Sequence, residues 1–215
     1  MLFAALSTLL VAGVTLAQTP SGFSPNVTAH LDVIFGSTAI TPGLQMQKSA
    51  VASMPTIGTQ TDLTGTYVYF MIDIDLPPTN SGGPRGTVLH GMITGFKSSG
   101  TTKGTTHVLT SKDTGPSSYF GPSPPSETPA HPHYYIELLF EQPANFAVPS
   151  AMKSQVSSRL NFNVTQFIDL AGLKDPVAAN YFWLLGSGFA RVRFESLLGG
   201  DQESGPLDCP LPVPI

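Results

Sequence analysis

A mainly β fold, β-rich α+β, is what the sequence predicts, and three observations carry it. The apolar segments are short and bounded by Gly, Pro, Ser, Thr and Asn, the punctuation of strands and turns. Only one stretch spaces its apolar residues as a helix does. Gly (21) and Pro (20) make up about a fifth of the 215 residues, while Asp, Glu, Lys and Arg reach only 11%, against ~25% in an average soluble domain.

The same composition excludes several classes. A chain that is 41% apolar and poor in charge is not a disordered segment, and a long coiled coil is rich in Glu and Lys with few prolines. Glycine has no three-residue period and proline no repeated tract, which removes collagen and stalk readings. A net charge of −4, from 10 basic and 14 acidic residues, supplies no basic footprint for nucleic acid. One globular domain is expected, long enough to bury a core without disulfide staples.

Taken in chain order, residues 2–16 carry no charge and are mostly Leu, Ala and Val, too short a run for a comfortable membrane span. Thr15 and Ala17 put small residues where a signal peptidase needs them, so residues 1–17 are expected to be a signal peptide and the protein secreted. The sequons at Asn26 and Asn163 agree with that route as glycosylation acceptors. Residues 29–35 nearly alternate, with Ala29, Leu31, Val33 and Phe35 on one face of a half-buried strand. Residues 66–74 are almost continuously apolar, aromatic and β-branched, which predicts a central strand. Residues 88–96 and 133–140 predict two more, and 177–183 and 189–194 are further candidates. Residues 165–173 are the one helical pattern, with Phe167, Leu170 and Ala171 on a stripe and Asn163 or Thr165 as N-cap.

Residues 77–86 and 115–132 are loops. The second holds six prolines between Pro116 and Pro132, whose fixed dihedrals favour an ordered rim. Cys209, the single cysteine, can form no internal disulfide. It lies in a proline-rich C-terminal tail, residues 201–215, expected to be mobile. No lipid-anchor signal is present and no other apolar run is long enough to span, so no transmembrane segment is expected in the mature protein.

With ionisable groups this scarce, the points where they interrupt apolar strands carry information. Asp73 and Asp75 end the strand over 66–74 and share one face; alone, the pair is most simply a set of turn-forming carboxylates. His90 sits inside an apolar strand, where a lone histidine is ordinarily a satisfied core residue. His131 and His133, spaced two apart, point to one face, a geometry that suits a metal. His131, His133 and Glu137 resemble the core of a cupin metal motif, which gives the alternative of a metal-dependent enzyme using His131, His133 and His90. The bracketing glycines and a later histidine are absent. No Gly-x-Ser-x-Gly elbow, phosphate loop or His-Glu-x-x-His helix is present.

The order Asp73-Ile74-Asp75-Leu76-Pro77, then His90, then Gly121-Pro122-Ser123-Pro124-Pro125, then His133-Tyr134-Tyr135 and Glu141-Gln142-Pro143, resembles the phosphatidylethanolamine-binding protein family. The similarity extends through the helix and over residues 176–182. It implies a large antiparallel central sheet, a second smaller sheet and a few short helices, over residues 18–200. It also implies an anion pocket built from Asp73, Asp75, His90, His133 and Tyr135, walled by Pro77, Pro124 and Pro125, with Gly121 opening the loop. Tyr134 replaces the family's usual arginine and Gly91 a bulky residue.

A carboxylate accepting from one histidine nitrogen fixes the tautomer and leaves the other N–H for a ligand. Two such histidines and the Tyr135 hydroxyl suit a phosphate or carboxylate. Nothing in this set supplies an activated nucleophile, so binding is expected rather than catalysis, with no cofactor. The implied partners are a small anionic ligand or a phospholipid head group and, because some members inhibit them, a serine protease or peptidase.

Overall fold

The computed structural model describes residues 17–186. Residues 1–16 of the leader, the candidate strand over 189–194, Cys209 and the tail over 201–215 lie outside the described residues. The strands are β1 (Asp32–Phe35), β2 (Thr38–Ala39), β3 (Leu44–Gln45), β4 (Thr56–Thr59), β5 (Tyr67–Leu76), β6 (Gly86–Lys103), β7 (Thr106–Thr110), β8 (Pro116–Ser117), β9 (Pro132–Glu141) and β10 (Ala178–Leu185). Two helices, α1 (Lys153–Ser158) and α2 (Val164–Ala171), and short 3-10 turns at Lys48–Val51 and Ser150–Met152 complete the set.

The strands run in the order β2-β1-β4-β7-β6-β5-β9-β10-β3, with β8 added beside β6. β6 joins two sheets: its first part pairs with β5 in the larger, its second with β7 in the smaller. The strand pairs are antiparallel except β10 with β3, which is parallel. A large central sheet, a smaller second one and few helices are what the sequence led us to expect.

The continuous apolar run of β5 has a direct cause, since both faces of the central sheet are covered and successive side chains alternate between them. Tyr67, Tyr69 and Met71 join Val33, Ile57 and Leu109 in the core between the sheets. Val68, Phe70 and Ile72 join Met152, Val156, Phe162 and Phe167 beneath the helices. There Phe70 meets Phe140, Phe162 and Phe167 at centroid distances of 5.1, 6.2 and 5.4 Å, pairs worth ~0.5–1.5 kcal/mol each beyond their burial.

Several elements differ from the sequence expectation. All four residues of β1 are buried, where a half-buried strand was expected. β6 runs to Lys103 rather than 96, because its polar end is held by β7 in a hairpin and not by an apolar face of its own. α1 has six residues and one buried side chain, Val156, too little to show a helical period. α2 takes the expected cap, Asn163 Oδ1 accepting the Gln166 N–H at 3.0 Å, and Gly172 closes the helix in the left-handed conformation. Its apolar face is Val164 and Phe167 with Ile168 and Ala171 beside them, whereas Leu170, expected on that stripe, is exposed. Among the described residues no helix is long and apolar enough to cross a membrane.

Candidate functional site

β5 lies between β6 and β9, and the three strands bring the scarce polar residues together. Asp73 pairs directly with Tyr135 across β5 and β9. Alternation therefore puts Asp73, Asp75, His133, Tyr135 and Glu137 on one face of the sheet. His90 arrives differently. Met71 pairs with Gly91 and Ile72 with Leu89, so His90 is the extra residue of a bulge, a device that re-aims a side chain at the edge of a ladder.

These residues surround a cavity of about 100 Å³. Asp73, His90, His133 and Tyr135 form its polar side, Ser123, Pro124 and Pro125 one wall, and Leu76, Val88 and Phe120 an apolar lip. The wall is docked on the 3-10 turn: Lys48 Nζ donates to Ser123 Oγ at 2.6 Å and the Tyr119 hydroxyl to the Val51 carbonyl at 2.7 Å. A side chain at Gly186, just after β10, would run into the Pro125 carbonyl.

Three residues expected at the site are not part of this lining. Asp75 is a brace: it accepts the Tyr134 N–H at 2.9 Å and lies 3.7 Å from Arg85 Nε. Burial raises its carboxyl above the ordinary value. Pro77 is half-buried beyond the end of β5. Gly121 lets the loop approach the 3-10 turn, since a Cβ there would meet the Ala52 carbonyl oxygen at 3.0 Å and that of Val51 at 3.2 Å.

The two histidines have opposite electrostatics. His133 is 1% exposed; its Nδ1 bonds Asp73 Oδ2 and its Nε2 bonds Glu127 Oε1, both at 2.9 Å. Burial alone would lower its pKa, but the two carboxylates outweigh burial and raise it, which favours the imidazolium donating from both nitrogens. Asp73 is itself fixed, its Oδ1 accepting the Asp75 N–H at 2.7 Å. His90 donates from Nδ1 to the Phe120 carbonyl at 2.6 Å and stacks on the Phe120 ring. Burial lowers its pKa, so near neutral pH its Nε2 is an acceptor, not the second donor that the sequence suggested. Tyr135 is fully buried and its hydroxyl finds no hydrogen-bond partner of good geometry in the protein. Burial, with Asp73 nearby, raises its pKa well above the usual range, keeping it a donor.

Arg85 and Glu127 were missed by sequence reasoning. Arg85 Nη1 and Nη2 donate to the two Glu127 oxygens at 3.0 and 2.7 Å. That clamp, aided by His133 and opposed by partial burial, pulls the Glu127 carboxyl down to about 2. A cation thus stands beside the pocket, outside its lining and joined to His133 through Glu127. A signal was present. Arg85 is the only Lys or Arg between Lys48 and Lys97, and Glu127 the only Asp, Glu, Lys or Arg between Asp113 and Glu137.

The metal alternative gains nothing from this geometry. His131 turns Nδ1 to the Pro132 carbonyl at 2.7 Å, and both His133 nitrogens are engaged by carboxylates. Among the described residues no three His, Cys, Asp or Glu side chains converge as a metal-holding group.

Comparison with known proteins agrees with the fold. The sequence model of the phosphatidylethanolamine-binding protein family matches residues 25–182. Phomoidride biosynthesis cluster protein N of Talaromyces stipitatus is 31% identical over 198 residues, covering 84% of this chain and 96% of its own. Protein BROTHER of FT and TFL 1 of Arabidopsis thaliana is 31% identical over 176 residues, 80% of this chain and 88% of its own. A carboxypeptidase Y inhibitor, solved in complex with its cognate proteinase, superposes with a TM-score of 0.54 at 19% identity, over 74% of this chain and 84% of its own. At that identity the likeness is one of fold. With a family match spanning most of its length and a relative of this coverage, the chain belongs to the phosphatidylethanolamine-binding protein family.

Proposed function

We propose that the protein is a secreted binding protein, not an enzyme, whose pocket takes the anionic end of a small ligand, a phospholipid head group or a comparable phosphate or carboxylate. One observation carries this: Asp73, His90, His133 and Tyr135, on three different strands, converge on a single cavity with a buried, unpartnered hydroxyl. Two cations, Arg85 and the His133 imidazolium, meet beside this cavity through the Glu127 carboxylate, and on its lining His90 and Tyr135 offer one acceptor and one donor. The proline wall, docked on the 3-10 turn, preforms the cavity, which lowers the entropy lost on binding.

The lip supports a ligand with an apolar portion. Phe120 and Leu160 are 52% and 49% exposed, and Leu160 bridges to Val88 of the lip, so an apolar tail has a surface to follow beyond the cavity. A relative named for a biosynthesis cluster supports a small organic molecule as readily as a lipid. Secretion rests on the leader sequence, and glycosylation at Asn26 and Asn163 on two sequons whose Asn and Thr residues are exposed. Peptidase inhibition is a second activity to assay, suggested by the inhibitor that shares the fold.

The test is to purify the secreted chain, identify any co-purified small molecule by mass spectrometry and measure the metal content. A metal-free protein that gains thermal stability with phosphorylethanolamine supports the proposal. One stoichiometric transition metal, lost with its activity on replacing His131 or His133, contradicts it.

A further inference from the structure

Glu127 belongs to neither sheet, yet its carboxylate is held at three points. Oε1 accepts from Arg85 Nη2 at 2.7 Å and from His133 Nε2 at 2.9 Å, and Oε2 accepts from Arg85 Nη1 at 3.0 Å. Arg85 is anchored behind, donating from Nε and Nη2 to the Asp75 carbonyl. His133 is anchored by Asp73 through its other nitrogen. The cations are therefore fixed by β5, and the carboxylate comes from the proline-rich loop that leads into β9. His133 has no further N–H to offer. An anion can reach it only where Glu127 now is.

We infer that Glu127 is a tethered internal ligand, its carboxylate filling the anion subsite of Arg85 and His133, so that a carboxylate or phosphate ligand binds by displacing it. This rests on the pocket described above and specifies how it is filled. A planar carboxylate matches the fork of the guanidinium with two parallel hydrogen bonds, and a phosphate can present two oxygens in the same way. The tether makes Glu127 a strong competitor, since a group on a short loop acts at an effective concentration of order millimolar or above. Displacement requires an anion that meets both cations at once. Selectivity against singly contacting anions such as chloride follows.

The test compares the full secreted chain with Glu127→Ala, Glu127→Gln and the double variant Glu127→Ala with Arg85→Met. Each is titrated with acetate, with inorganic phosphate and with chloride, by calorimetry and thermal shift. Glu127→Ala should bind acetate or phosphate about tenfold or more tighter than wild type, regain thermal stability as that anion is added, ignore chloride, and lose the gain when Arg85 is also replaced. Glu127→Gln, which keeps the side-chain volume, gives the same comparison if the alanine variant does not fold. A gain for acetate alone assigns the subsite to carboxylates, and for phosphate alone to phosphate esters. Wild type binding as tightly as or tighter than both Glu127 variants overturns the inference and leaves the pocket standing. No binding by any of the proteins overturns both.

Discussion

Replacing Glu137 with Gln should flatten the pH dependence of stability. Glu137 lies on β9 two residues beyond Tyr135, fully buried in the core between the sheets, where burial pushes its carboxyl from an ordinary 4.5 up to about 8. The Tyr69 hydroxyl donates to Oε1 at 2.7 Å, and Oε2 has no partner. Between those two pKa values the unfolded chain has released a proton that the folded chain still holds, so stability falls as pH rises and levels off above the folded pKa. One such proton is worth ~1.4 kcal/mol per pH unit. From about pH 5 to about pH 7, the wild type should lose ~2.5 kcal/mol through this group. Gln keeps the acceptor for Tyr69 and places an NH2 where the carboxyl carries its proton, so any cost of the substitution is a constant offset. Urea denaturation of both proteins across this range reads the difference directly. Parallel stability curves would refute the assignment of a neutral, buried carboxyl.

Arg85→Met should release the Glu127 carboxyl from about 2 toward the ordinary carboxylate range, read by carbon-detected NMR titration. Because that pKa is depressed in the folded state, the clamp stabilises above the ordinary value of 4.5 and fades as pH falls toward 2. The acid limb of wild-type unfolding should therefore be shallower in the variant. Gly186→Ala should push the Pro125 carbonyl outward and weaken ligand binding while leaving most of the melting temperature intact, because the collision is with the rim and not the core. Asn163→Ala should remove the α2 cap and cost ~1 kcal/mol in denaturant unfolding. A loss below a few tenths would show that packing of Phe167 alone holds the helix.

The central strands were legible because burial on both faces leaves few polar positions, so β5 and β9 stand out as apolar runs. Asp73, His90 and His133 were legible for the complementary reason: few charges interrupt those runs. The short strands β4 and β7 were not, since their pairing is imposed by neighbours and TIGT or THVLT carries little periodic signal. The bulge that turns His90 depends on the register between β5 and β6, which the continuous apolar runs of both strands do not specify. Partner choice was the least visible. Spacing places Asp73 near a histidine but does not say which one, and the Arg85–Glu127 clamp joins two loops 42 residues apart. Asp75, alike in sequence to Asp73, differs in role because its carboxylate meets the Tyr134 backbone rather than the cavity.

The most direct measurement of the anion pocket is a histidine-ring NMR titration of the secreted chain with phosphorylethanolamine. Saturable shifts of His90 and His133 are expected, with His30 and His107 unmoved, and the same apparent affinity at both responding rings. Shifts absent at His90 and His133, or equal at all five histidines, would contradict the anion pocket.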